Sequence, residues 1–170
     1  MIKKYHKKDR SKNIFSAKKN KINYFFPLLA IFTVSIYMGF NLTSNTAQAE
    51  EIMVYKSPTC GCCNKWVTHL REEGFTVKTK DLGDMKSIKK TLGVKPEFQS
   101  CHTAKVGKYF IEGHVSASDV KKLLKEKSDI KGLSVPGMPM GSPGMEGHRK
   151  DSYDVVAIDK NNNATVYTRY

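Results

Sequence analysis

Acidic side chains are almost missing from the first 49 residues, where Asp9 alone stands against nine lysines and arginines. From Tyr24 to Phe40 charge of either sign is missing altogether for 17 residues. A basic segment, an uncharged apolar run and then Ala47-Gln48-Ala49 form the pattern of a secretory signal peptide with a small-x-small cleavage site. An uncleaved membrane anchor is the alternative. The run is at the short limit for a span and Pro27 interrupts it, so cleavage is favoured. Either outcome keeps the basic flank inside and sends residues 50–170 out of the cytoplasm, to the periplasm or cell envelope. Membrane contact is then expected only through the N-terminal segment, if it is retained.

The net charge of +13 divides into about +8 before Ala49 and about +5 after it, where 20 basic residues face 15 acidic ones. A mildly basic domain whose lysine pairs, such as Lys89-Lys90 and Lys121-Lys122, lie scattered over helix-like segments has a solvated face rather than a nucleic-acid surface. Nucleic-acid binding is excluded on this ground. Internal repeats are also missing, which leaves one ordinary domain. There is no cysteine before Cys60, so all four thiols fall in the exported part, where disulfides persist.

Residues 50–170 alternate between strand-like and helix-like segments. Ile52 to Lys56 reads as a strand, and a helix follows from the cysteines to about Glu73, stopped by Gly74. Phe75 to Lys80 alternates as a second strand, and Asp84 caps a short helix through Leu92, stopped by Gly93. Thr103–Val106 and Tyr109–Glu112 flank Gly107-Lys108 as a hairpin, and Ser118-Asp119 opens a helix with Val120, Leu123 and Leu124 on one face. The order β-α-β-α-β-β-α is that of the thioredoxin fold. Residues 132–148, rich in glycine, proline and methionine, are expected to form an ordered loop without strand or helix. A terminal hairpin, Tyr153–Ile158 with Ala164–Thr168, completes an α/β, thioredoxin-like single domain.

Cys60-Gly61-Cys62-Cys63 places three thiols in four residues at a helix N-terminus, where unpaired N–H groups and the helix dipole favour thiolate over thiol. Cys60 and Cys63 can close a short disulfide or share a metal ion. Cys62 fits a simple redox pair badly, because a third thiol can attack a neighbouring disulfide, whereas a soft-metal site can use every sulfur as a bridging ligand. It can also be a small buried packing residue.

Cys101 precedes the third strand, at the place where a thioredoxin-like fold faces its Cys-x-x-Cys pair. It is expected opposite Cys60 and Cys63, as ligand or as disulfide partner. His102 is expected to point away, since neighbouring side chains on a strand alternate faces unless the loop bends. Met138, Met140 and Met145 supply thioethers, soft and neutral donors that suit cuprous ions; Met138 and Met145 are the stronger candidates. His114 lies between the hairpin and the third helix and can complete such a set, or serve as a cap. His69 lies nine residues into its helix from Cys60, roughly 13 Å along the axis, too far to share an ion.

Five ordered blocks resemble the exported CopG-type copper-resistance proteins: Ser57–Cys63 with Trp66, Ser100–Ala104, Glu112–Val115, Val135–Pro139 and Gly141–Glu146. The resemblance covers about residues 52–168 and implies a thioredoxin-like fold with copper held by clustered sulfur ligands. It leaves catalysis open. Met140 departs from the family pattern.

The first reading is an exported protein that holds cuprous ions in a cysteine-rich, multinuclear site and serves copper resistance. Cys60, Cys62, Cys63 and Cys101 would be ligands, with Met138, Met145 and His114 completing the shell. Its partners would be copper ions and other envelope copper-handling proteins. A second reading is a thiol-disulfide or copper oxidoreductase using Cys60 and Cys63. A third is a zinc-stabilised or disulfide-stapled structural domain, against which the methionines argue, since zinc has little use for thioethers.

Overall fold

The computed structural model describes residues 50–170. The expected signal peptide or anchor, residues 1–49, lies outside the described residues. Among the described residues no helix is long and apolar enough to cross a membrane.

The described residues form a mixed α/β domain with one seven-stranded sheet and three α-helices. In chain order these are β1 (Glu51–Lys56), α1 (Gly61–Glu72), β2 (Thr76–Asp81), α2 (Met85–Thr91), a 3-10 turn (Pro96–Phe98), β3 (Thr103–Val106), β4 (Tyr109–Glu112), α3 (Ala117–Glu126), β5 (Gly132–Ser134), β6 (Asp154–Ile158) and β7 (Ala164–Arg169). The strands lie in the order β2-β1-β3-β4-β5-β6-β7. β1 pairs parallel with β2 and β4 parallel with β5; the other four neighbouring pairs are antiparallel.

The helices begin and end where their local chemistry dictates. Asp84 caps α2 by accepting the Lys86 N–H at 2.8 Å. The cap of α3 is Ser116, two residues before the expected start: its hydroxyl accepts the Asp119 N–H at 3.1 Å and donates to the Asp119 carboxylate at 2.7 Å. His69 Nε2 accepts the Ala117 N–H at 3.1 Å, which satisfies another free donor of that first turn. His69 is therefore a cap acceptor, in keeping with its exclusion as a ligand.

All four residues of β4 are buried, so this strand is covered on both faces. Its Ile111 joins the main core with Ile52 and Val54 of β1, Trp66, Val67 and Leu70 of α1, and Val120 and Leu123 of α3. Phe110 faces the other way and packs with Val94 and Ile158. By the same alternation Glu112 shares the Phe110 side, where α2 delivers Lys89. The indole N–H of the fully buried Trp66 donates to the Val115 carbonyl at 2.8 Å, tying α1 to the segment that enters α3.

One expectation is corrected here. Gly132, Leu133 and Ser134 form β5, an interior strand of the sheet and not part of a loop. A β-carbon on Gly132 would stand 2.1 Å from the Phe110 carbonyl oxygen and 2.7 Å from its ring, so glycine is needed where β5 lies against β4. The terminal hairpin pairs onto β5 through β6 and extends the same sheet.

Candidate metal centre

Four segments converge to build the centre: the start of α1, the bend before β3, the turn between β4 and α3, and the loop between β5 and β6. Cys60 is the N-cap of α1, its side chain makes no capping bond, and it is joined to Cys63 by a disulfide. Cys62 and Cys101 are free thiols. Cys62 Sγ lies 3.5 Å from Cys60 Sγ and 3.9 Å from Cys101 Sγ, and Cys63 Sγ lies 3.6 Å from Cys101 Sγ. All four sulfurs fall within 4.8 Å of one another. Cys101 stands opposite Cys60 and Cys63, as its place before β3 implies, and it forms no disulfide with Cys60, Cys62 or Cys63.

His114 approaches from the far end of β4. Its Nδ1 stands 2.8 Å from the Pro143 carbonyl, an acceptor only, so Nδ1 carries the proton and the Nε2 lone pair faces Cys101 Sγ at 3.1 Å. Metal-binding histidines are commonly oriented in this way, the second nitrogen held by a carbonyl.

His102 enters the site as well, against expectation. The chain bends at Cys101 and regular pairing starts only at Thr103, so strand alternation does not apply to the two residues. His102 Nδ1 lies 3.2 Å from Cys101 Sγ, its ring packs on Trp66 at 4.3 Å and edge-on to His114 at 5.0 Å, and its Nε2 has no hydrogen-bond partner. Cys101, His102 and His114 form a second set of donor atoms within 4.8 Å of one another. A thiol and two imidazoles, one of them with an unpartnered buried nitrogen, are a donor set that suits a soft or borderline metal ion.

The methionines separate. Met145 and Met140 line a cleft of about 370 Å³ together with Cys62, Lys65 and Glu146, whereas Met138 does not line it and is 52% exposed. Met138 follows Gly137, whose carbonyl accepts from the Ser100 hydroxyl beside Cys101. The loop presses on α1 at Gly144, where φ is +85° and a β-carbon would meet Trp66 N at 2.8 Å and the Cys62 carbonyl at 2.9 Å. Gly144→Ala is accordingly expected to lift the loop from α1 and cost on the order of 1–3 kcal/mol. A urea titration checks the cost, and an unchanged midpoint would contradict the close approach.

Beneath the Cys101 bend lies a buried polar network that sequence reasoning did not find. The Glu112 carboxylate accepts from the Lys89 ammonium, from the Thr103 hydroxyl and, at 2.6 Å, from the Ser100 N–H. Lys89 Nζ also donates to Thr103 Oγ1 at 2.8 Å. Burial raises the Glu112 carboxyl pKa, against the opposing pull of Lys89.

Burial dominates the other ionisations too. It pushes the Cys101 thiol up to about 12, with the neighbouring Cys62 adding to the rise. Burial holds His102 well below its usual value, helped by His114 and Lys89, and lowers His114 against the pull of the Pro143 carbonyl. Both histidines are fully buried, and their unfolded forms take up a proton near pH 6.5 that the folded forms refuse. Their contribution is present above pH 6.5 and lost as pH falls below it. Stability of the metal-free protein is expected to drop below pH 6.5 with a limiting slope of about 1.4 kcal/mol per pH unit for each histidine. Urea titrations at pH 7.5 and 5.5 check this, and equal stabilities would contradict it.

Fold and site together define a mixed α/β domain carrying a cysteine-rich, metal-competent centre. Two solved structures described as copper resistance protein CopG, forms 1 and 2, match it at 44% identity and a TM-score of 0.69. Each covers 72% of this chain, form 1 over 98% and form 2 over 99% of its own length. The chain belongs to the CopG-type copper-resistance family. A family model described as a protein of unknown function, DUF411, matches residues 98–145, which include Cys101, His114, Met138 and Met145. No curated protein matches the sequence.

Proposed function

We propose that this protein is exported to the cell envelope, through residues 1–49 as a signal peptide or anchor, and there holds cuprous ions in a multinuclear, cysteine-bridged site that serves copper resistance. The observation that carries the reading is the gathering of the Cys60, Cys62, Cys63 and Cys101 sulfurs within 4.8 Å. Thiolates bridge soft ions and neutralise their charge, while His114 and the Met145 thioether complete the shell; Met138, exposed and outside the cleft beside Cys62, is the weaker candidate. Copper-handling proteins of the envelope are the expected partners. The reading treats the domain as thioredoxin-like with an added loop and hairpin, supported by Cys60 and Cys63 flanking the first turn of α1 after β1.

All four thiolates become available only after the Cys60–Cys63 bond is opened. That step takes two electrons and two protons, as from a dithiol that closes its own disulfide. The test is elemental analysis of the reduced protein after cuprous loading against a competing chelator. More than one copper per chain is the expected result; only trace uptake would sink the reading.

The Cys60–Cys63 disulfide, with the free Cys62 sulfur 3.5 Å from Cys60, favours a second reading, a thiol-disulfide or copper oxidoreductase. Turnover of a disulfide substrate by the metal-free protein would support it. The same turnover in Cys60→Ser would exclude that role for the pair.

A further inference from the structure

Away from the cysteines, beside Val94 and Phe110, lie two adjoining hollows of about 490 Å³ and about 230 Å³ that share Gly93 and Lys131 in their walls and so form one groove. Five lysines far apart in sequence line it: Lys90, Lys95, Lys105, Lys108 and Lys131. Among the described residues no aspartate or glutamate lines either hollow. Lys90, Lys105, Lys108 and Lys131 form no salt bridge among those residues, and Lys95 reaches Glu97 only at 3.8 Å. Asp129, near Lys108, is held by Lys160 at 2.6 Å.

Lys131 is the fixed point of the groove. Its backbone N–H donates to the Ile158 carbonyl at 2.7 Å, its carbonyl accepts the Phe110 N–H at 3.0 Å, and its ammonium donates to the Asn162 amide oxygen at 2.6 Å. A neutral acceptor orients the ammonium without cancelling its charge. Between the charges the floor is apolar, built from Leu92, Val94 and Pro96 with the lysine stems.

A fitting occupant is anionic at several points and apolar between them. A single small anion neutralises only part of five charges spread over two hollows. A membrane surface would need exposed apolar anchors, and the exposed large apolar residues among those described, Met138, Val166 and Tyr170, lie outside the groove. Base stacking needs open aromatic faces, whereas Tyr109 and Phe110 are buried. Residues 1–49, with nine basic side chains against Asp9, carry the wrong sign, and a second copy is itself net basic.

We propose that this groove docks an acidic segment of a partner polypeptide, with carboxylates on the lysines and apolar side chains on Leu92, Val94 and Pro96. The wall from Gly93 to Gln99 runs on into the Cys101 bend. There the Phe98 carbonyl accepts from the Ser134 hydroxyl at 2.6 Å and the Gln99 carbonyl accepts the Gly137 N–H at 3.2 Å. A docked partner therefore stands against the segment that carries Cys101. Docking requires no metal and is independent of the copper-binding reading.

The test is fluorescence anisotropy of a labelled peptide of alternating glutamate and leucine, titrated with the full, metal-free chain. Saturable binding is expected, weakened about tenfold in Lys90→Glu/Lys105→Glu and likewise in Lys95→Glu/Lys108→Glu. These four side chains are exposed, so the melting temperature should not change. Lys80→Glu/Lys125→Glu makes the same charge change away from the groove and should bind as the wild type does. A peptide of alternating glutamate and serine should bind more weakly, since it leaves the apolar floor uncovered. Equal losses in groove and control variants would assign the binding to net charge or to residues 1–49 and overturn the proposal. So would the lack of saturable binding, equal affinity for the two peptides, or groove variants that release phosphatidylglycerol vesicles while keeping the peptide.

Discussion

Cys101→Ser is expected to weaken cuprous binding at least about 100-fold while leaving the fold intact. Cys101 is the sulfur that reaches both groups of donors: it lies 3.9 Å from Cys62 and 3.6 Å from Cys63 on one side, and 3.1 Å from His114 on the other. Loss of residues that merely orient a ligand costs about 10–100-fold in metal affinity, so loss of the proposed ligand itself belongs at or beyond the upper end. A serine hydroxyl fits the half-buried bend and can accept from His102, but it does not ionise near neutral pH and cannot bridge soft ions.

Chelator competition measures the affinity, and a thermal melt of the metal-free variant separates it from unfolding. Unchanged copper affinity in a folded Cys101→Ser protein would remove Cys101 from the centre. The thiol's raised pKa, about 12, gives the same residue a second signature. At neutral pH its thiolate fraction in the metal-free protein is far below that of an ordinary cysteine, so it should alkylate slowly. Copper loading must displace that proton.

How much of this was legible in the sequence follows from the range of each signal. Local signals carried well: Asp84 and Gly93 bounded α2, Gly107 marked the β3–β4 turn, and the Cys60–Cys63 spacing fixed their place at the start of α1. β5 was not legible, because three residues are too few for a period and glycine reads as a breaker; only the close approach to Phe110 explains it. His102 enters the site through a bend, the one exception to strand alternation, and no local pattern signals that bend. The contrast among the methionines depends on where a Gly/Pro loop lands, which no local pattern encodes. Glu112 carried a faint signal as the single charge in the otherwise apolar run Tyr109-Phe110-Ile111. Its partner Lys89 is 23 residues away on another element, and a lysine on a short helix reads as solvated.

That pair sets the second large effect. Glu112→Leu is expected to destabilise the metal-free protein by about 3–5 kcal/mol, because it leaves the Lys89 ammonium buried, 4% exposed, with only the Thr103 hydroxyl as partner. For a domain of this size that corresponds to a fall in melting temperature of roughly 10–20 °C. Removing both charges in Lys89→Met/Glu112→Leu should recover much of the loss, since the desolvation cost of the ammonium goes with it. Recovery of stability should not restore the centre to the same degree. The Ser100 N–H, held by Glu112 at 2.6 Å, loses its acceptor in both variants, and Ser100 immediately precedes Cys101. The double variant is therefore expected to fold stably yet bind copper about 10–100-fold more weakly, as when an outer-shell partner of a metal ligand is removed. Thermal melts and chelator competition on the two variants test both halves. A double variant with wild-type copper affinity would make the Lys89–Glu112 pair a packing feature without influence on the Cys101 bend.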